Sequence, residues 1–253
     1  MVPENTASSI SQARTTMRPR GSEFAIIRGV SLRVETFRVG PLDNNLYLLI
    51  DDHNHEAVVV DPSIESAPAL QRMRELLRSG VHFSGIWNTH GHFDHIYDNA
   101  LWKAELAAPI LMHRDDDFFV QRLREQALWM GLPPPTTVSP DHWLNGGETL
   151  KVGGYHAAVL LTPGHSPGSV TFYFAGDGLC ISGDVLFQGS VGRTDLPGCS
   201  VEQLQHSLAT LLQLPDATRV LPGHGEPTTI GLERRTNPFC QSLPPTNQET
   251  ELR

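Results

Sequence analysis

The stretch Thr89-His90-Gly91-His92-Phe93-Asp94-His95 decides the reading of this chain. It packs three imidazoles and a carboxylate into a few residues, and these side chains suit Zn, Fe, Mn or Ni. Held so close on a turn, they repel one another or stay in water unless a cation gathers them. The cluster therefore predicts a transition-metal site rather than a solvated polar loop.

Three further ligand-type side chains stand on short Gly-rich turns after hydrophobic runs. They are His165 in Thr-Pro-Gly-His-Ser-Pro-Gly, Asp184 in Ser-Gly-Asp-Val and His224 in Leu-Pro-Gly-His-Gly-Glu. The runs Phe83 to Trp87, Ala157 to Leu161, Gly178 to Ile181 and Arg219 to Leu221 read as buried strands, each delivering its ligand at its carboxyl end. Glycine is expected in these turns because it lets the backbone bend sharply.

Across residues 30–236 these motifs resemble the metallo-β-lactamase superfamily, whose signature is a His-x-His-x-Asp-His loop followed by a separated His, an Asp and a final His. The resemblance implies an α/β fold, a single-domain four-layer αββα sandwich with metals at one edge. It also implies seven ligands: His90, His92, Asp94, His95, His165, Asp184 and His224. Seven exceed what one tetrahedral site needs, whereas two adjacent metals sharing one carboxylate use them all. Carried over residue by residue, His90, His92 and His165 hold the first ion, Asp94, His95 and His224 the second, and Asp184 bridges. The implied cofactors are two divalent ions, zinc first, with iron or manganese as alternatives. A hydroxide between them is the implied nucleophile, with Asp94 and Asp184 as catalytic carboxylates.

The run Asp184-Val-Leu-Phe-Gln-Gly-Ser-Val-Gly-Arg-Thr-Asp-Leu-Pro-Gly198 resembles the small hydroxyacylglutathione hydrolase (glyoxalase II)-like branch. That implies cleavage of a small-molecule thioester such as S-D-lactoylglutathione. A glutathione persulfide dioxygenase with mononuclear Fe(II) on His90, His165 and Asp184 is the alternative. Lactonase, β-lactamase, nuclease and a noncatalytic interaction module are weaker alternatives. Arg193 is a candidate anchor for a substrate carboxylate, since guanidinium offers paired donors; a structural pair with Asp195 is the competing reading. Glu233 to Phe239 resembles the same branch, its arginines reading as surface charges. Only fourteen polar residues follow Phe239, where larger glyoxalase II enzymes carry a helical extension that helps hold glutathione. Another acyl thioester therefore stays open.

The 253 residues, 39% of them hydrophobic, suffice for one large domain, expected over residues 24–239. The net charge of −9 argues against a nucleic-acid partner. No apolar run approaches the roughly 20 residues of a membrane span, so no membrane partner is expected. Three widely spaced cysteines fit free thiols in the cytoplasm. Residues 1–23, with Glu4 and Glu23 as the only acids, read as a flexible extension, an organelle transit peptide or a cloning remnant. Residues 240–253 read as a flexible tail.

Local patterns predict a β-meander over Leu32 to Val39, Asn45 to Ile50 and Ala57 to Val60. A helix is predicted over Ala67 to Arg78, with Leu70, Met73, Leu76 and Leu77 on its apolar face. Helices are also predicted over Ile96 to Leu106 and Asp115 to Met130, with a short strand at Pro109 to Met112 between them. Strands follow at Thr149 to Val152, Tyr155 to Leu161, Ser169 to Phe174 and Gly178 to Ile181. The last helix starts at Ser200, where Ser-Val-Glu-Gln has capping-box form. The remaining histidines, at 53, 55, 82, 113, 142, 156 and 206, read as ordinary surface or core residues, and Trp87 and Trp143 as packing residues.

Overall fold

Two six-stranded sheets pack face to face in the computed structural model of the protein, which describes residues 32–243. The first sheet runs in chain order: β1 (Arg33–Val39), β2 (Asn44–Asp51), β3 (Glu56–Val60), β4 (His82–Trp87), β5 (Ile110–His113) and β6 (His142–Leu144). Its first three strands form the expected antiparallel meander, and β3 through β6 are parallel. The second sheet comprises β7 (Thr149–Val152), β8 (Tyr155–Leu161), β9 (Val170–Phe174), β10 (Leu179–Gly183), β13 (Arg219–Pro222) and β14 (Thr228–Thr229). Its order is β14-β13-β10-β9-β8-β7, with only β10 and β13 parallel. A hairpin of β11 (Leu186–Phe187) and β12 (Ser190–Val191) stands apart.

Three clusters of buried side chains build the layers. Between the sheets, Tyr47, Leu49, Val58, Val60 and Trp87 meet Val159, Phe172, Phe174, Ile181 and Leu221. On the outer face of the first sheet, helix α1 (Ala67–Arg78) sets Leu70, Met73 and Leu76 against Leu46, Leu48, Ile50 and Trp102. Outside the second sheet, Leu204, Leu208 and Leu211 of helix α6 (Val201–Leu211) cover Cys180 and Val220. The result is the expected single-domain αββα sandwich. β2 is buried along its whole length because it faces the other sheet on one side and α1 on the other. Trp87 is a packing residue, 5.2 Å from the Phe172 ring centroid.

The structure departs from the local reading in informative places. The predicted Ile96 to Leu106 helix is two: α2 (Phe93–Ile96), which presents Asp94 and His95 on one turn, and α3 (Asn99–Leu106). Leu77, assigned to the apolar face of α1, is 38% exposed. The predicted Asp115 to Met130 helix is a 3-10 turn, Arg114–Asp116, followed by α4 (Asp117–Gln121) and α5 (Leu123–Trp129). It breaks because Asp116 turns inward to hydrogen-bond two loops and because Arg122, with φ −106°, leaves the helical range. The strand β6 has no counterpart in the local reading. Ser200 caps α6 as predicted, its Oγ accepting from Gln203 N at 3.2 Å.

After α7 (Ile230–Thr236), α8 (Pro238–Gln241) crosses the 239/240 boundary drawn from sequence and buries Cys240. The three cysteines are free thiols. Residues 1–31 and 244–253, including the N-terminal extension and most of the tail, lie outside the described residues. No helix among the described residues is long and apolar enough to cross a membrane.

Candidate metal centre

Four strand ends deliver all seven predicted ligands to one edge of the sandwich. The chain leaves β4 through Asn88 and Thr89 to His90 and His92, and α2 adds Asp94 and His95; β8, β10 and β13 lead to His165, Asp184 and His224. The two sheets are stitched together here. Asn45 N donates to the Gly223 carbonyl at 2.7 Å, Tyr47 Oη donates to the Pro222 carbonyl at 2.6 Å, and Val170 N donates to the Thr89 carbonyl at 2.8 Å.

Glycine serves these turns in two ways. Gly164 and Gly183, at φ +136° and +51°, do turn the backbone as expected. Gly91, Gly168 and Gly223 have no positive φ and are needed for close approach instead. A Cβ on Gly223 would lie 2.1 Å from Asp184 Oδ1.

The seven side chains form two groups that face one carboxylate. Ligand atoms of His90, His92 and His165 lie within 4.8 Å of one another, as do those of Asp94, His95 and His224. Asp184 stands between the groups. Its Oδ2 is 3.5 Å from His165 Nε2 and 3.4 Å from His224 Nε2, and its Oδ1 is 3.5 Å from His95 Nε2. Asp61, His90 and His95 are also mutually close, but the Asp61 carboxylate is already engaged. It accepts from Thr89 N, Thr89 Oγ1 and His95 Nδ1.

Partners outside the groups set the tautomers. His165 Nδ1 donates to the Arg193 carbonyl and His224 Nδ1 to the Leu42 carbonyl, each at 2.9 Å. A carbonyl only accepts, so each Nδ1 carries the proton and each Nε2 turns a lone pair inward. His95 Nδ1 donates to Asp61 at 3.0 Å with the same effect. Thr89 Oγ1 gives its proton to Asp61, so it accepts from His90 Nδ1 at 3.1 Å. His92 points its Nδ1 inward, 2.8 Å from His165 Nε2.

The electrostatics and the unpaired atoms both fit a cation. Burial, with neighbouring imidazoles, pushes His90 well below the usual range and His92 down to about 3. Burial also opposes charge on His95 and His224. Asp184 and Asp94 outweigh it, pushing His95 well up and His224 to about 9. Burial would raise both carboxyls, yet His95 and the hydrogen bonds around them hold Asp94 at about 2 and Asp184 well below its usual range. The carboxylates thus demand positive charge beside them. His90 Nε2 and Asp184 Oδ1 face the ligand groups, buried with no hydrogen-bond partner. Each such atom costs about 1–3 kcal/mol unless something binds it. His and Asp donors in this arrangement suit divalent transition metals. His224, with a side chain 25% exposed, marks the side open to solvent.

Arg193 is exposed and forms a bidentate pair with Asp195 at 2.6 and 2.8 Å, while its carbonyl orients His165. Arg234 is an exposed charge, as read from the sequence, and it also grips Asp216 and the carbonyls of Leu212 and Leu214, tying α7 to the end of α6. Sequence reasoning missed four residues around the site. Asp61 and Thr89 orient His95 and His90, Asp116 binds two ligand turns, and Asn44 Nδ2 donates to Asp94 Oδ2 at 2.9 Å. A single Asp or Asn carries no local pattern. The one signal for Asp61 was its place at the end of a buried strand.

The family model for the Metallo-beta-lactamase superfamily matches residues 39–224. The chain is similar to the hydroxyacylglutathione hydrolase GloC of Haemophilus influenzae, with 37% identity over 214 residues, which cover 83% of this chain and 99% of that protein. Among solved structures, BLEG-1 B3 metallo-beta-lactamase superposes with a TM-score of 0.74 at 37% identity, covering 83% of this chain and 100% of that one. TTHA1623, solved in a di-iron-bound form, superposes at 0.73 with 40% identity, covering 81% and 98%.

Proposed function

The chain belongs to the metallo-beta-lactamase superfamily and is a metallo-hydrolase, and from that premise we propose that it cleaves a thioester of the hydroxyacylglutathione type. The observation that carries the reading is Asp184, whose two carboxylate oxygens face the two ligand groups at 3.4–3.5 Å. Resemblance along Asp184 to Gly198 and the 37% identity to GloC support the thioester as substrate.

In this reading His90, His92 and His165 would hold one divalent ion, Asp94, His95 and His224 would hold a second, and Asp184 would serve both groups. Zinc is the first choice, with iron or manganese as alternatives. When bound, such ions supply Lewis acidity, bringing the pKa of a water toward neutrality and polarising a carbonyl. The protein's residues do the positioning. Asp61, Thr89 and the carbonyls of Arg193 and Leu42 lock the imidazoles, and Asn44 fixes Asp94. Thioester hydrolysis consumes one water and releases a carboxylic acid and a thiol, so a proton must reach the departing sulfur. Asp94 is the assigned carrier.

The complete Asp94, His95, His224 group speaks against a mononuclear iron dioxygenase, which needs only His90, His165 and Asp184. The proposed partner is thus a small molecule, with the net charge of −9 disfavouring a polyanion, and the proposed location is the cytoplasm. The test is elemental analysis of metal per chain together with anaerobic hydrolysis of S-D-lactoylglutathione. Two metals and oxygen-independent cleavage are expected. One iron with oxygen-dependent turnover of glutathione persulfide would replace this reading.

A further inference from the structure

Asp116 is fully buried and reaches the metal centre from the segment that links β5 to β6 of the first sheet. It closes the 3-10 turn after β5, and its carboxylate collects three hydrogen bonds. Oδ2 accepts from Gly91 N and Ser166 Oγ, both at 2.7 Å, and Oδ1 accepts from Gly168 N at 2.6 Å. Gly91 stands between His90 and His92, and Ser166 to Gly168 follow His165 at once. All three residues of the first ligand group therefore ride on two turns that Asp116 joins.

The two glycines are shaped to this carboxylate. A Cβ on Gly91 would sit 2.9 Å from Asp116 Cβ, and one on Gly168 would sit 2.7 Å from Asp116 Cγ and 2.8 Å from Oδ1. The second ligand group is held by other means: His95 by Asp61, Asp94 by Asn44 and His224 by the Leu42 carbonyl.

Resting on the reading that each group binds a metal, we infer that Asp116 is a positioning residue for the first group alone. It sets the spacing between the His90/His92 turn and the His165 turn, and hence the affinity of that ion. Asparagine keeps the shape but aims an NH2 at an N–H or O–H donor, which releases one turn.

The experiment uses the full chain, stripped of metal and titrated with Zn2+ against a chromophoric chelator, then with Co2+ to record ligand-field spectra. The wild type should take up two ions. Asp116→Asn should keep one at native affinity and weaken the other about tenfold or more, the scale typical of residues that orient ligands. Its remaining Co2+ spectrum should match that of His92→Ala and not that of His224→Ala. Ser166→Ala, which removes one of the three bonds, should weaken the same ion to a smaller degree and covers the case in which Asp116→Asn does not fold. Two native-affinity ions in both variants, or equal weakening of both ions, would overturn the inference and leave the two-metal reading standing. Fewer than two ions in the wild type would overturn the two-metal reading itself, and this inference with it.

Discussion

His95 Nδ1 donates to Asp61 Oδ2 at 3.0 Å, and this bond turns the Nε2 lone pair of His95 into the second ligand group. Asp61 also accepts from Thr89 N and Thr89 Oγ1, at 2.7 and 2.6 Å. Replacing it with asparagine must turn an NH2 toward one of these donors. Asp61→Asn should lower affinity for the second ion roughly 10–100-fold. Competition titration with a chelator checks this, and an unchanged affinity would remove Asp61 from the site's machinery.

Metal removal should cost stability as well as activity, because His90 Nε2 and Asp184 Oδ1 are buried facing the ligand groups without other partners. An ion at a thousand times its dissociation constant adds about 4 kcal/mol to folding. For a chain of this size that is roughly ten degrees in Tm. Thermal unfolding with and without a tight chelator measures it; coincident curves would mean that nothing binds these atoms.

A pH dependence follows from Asp51, which lies far from the metal centre at the end of β2. Burial would raise its carboxyl, but bonds from Gly154 N, Asn54 N and Nδ2, and His53 N outweigh it and hold it at about 2. The folded value lies below the unfolded one near 3.9, so the stabilisation is complete above roughly pH 4 and is lost as pH falls through about 2. Asp51→Asn should lose on the order of 1 kcal/mol at neutral pH, after allowance for solvent screening at this turn. It should also show a flatter decline between pH 4 and 2. Acid unfolding followed by circular dichroism compares the two slopes.

Glu233 is fully buried, and its carboxylate accepts from Gly189 N at 2.8 Å, Asn237 Nδ2 at 2.9 Å and Thr228 Oγ1. Glu233→Ala, which leaves the buried Gly189 N–H and Asn237 amide without an acceptor, should destabilise the fold by about 2–3 kcal/mol. It should also raise KM, since the β11–β12 hairpin it anchors brings Phe187 within 6.3 Å of the His224 ring. Urea unfolding and steady-state kinetics test the two parts separately.

The Arg193–Asp195 pair is exposed on both sides, so Arg193→Ala should change stability by less than about 0.5 kcal/mol. As a substrate anchor, Arg193 should instead appear in KM. Arg193→Ala is expected to raise KM about tenfold for an anionic thioester and to leave an uncharged one unaffected. Equal effects on both substrates would assign Arg193 to structure alone.

Much of the molecule was legible from local pattern. Helix α1 lies within Ala67–Arg78 as its apolar spacing predicts, and the ligand-bearing strands lie where the hydrophobic runs place them. Asp115 to Met130 reads as one helix because propensity is summed along the chain. The inward pull on Asp116 comes from Gly91, 25 residues earlier, and Gly168, 52 residues later, where no local pattern registers it.

By itself the sequence determined which side chains can bind metal, and that they sit on turns closing buried strands. Residue type sets ligand chemistry, and hydrophobic periodicity is a local property. Only the tertiary structure decided how the seven divide around Asp184, that Asp61, Thr89 and Asn44 aim them, and that Arg193 already holds Asp195. Apart from the Arg193–Asp195 and Thr89–His90 contacts, these depend on hydrogen bonds between residues distant in the chain. Such bonds exist only once packing brings buried donors and acceptors together and leaves each to find a partner.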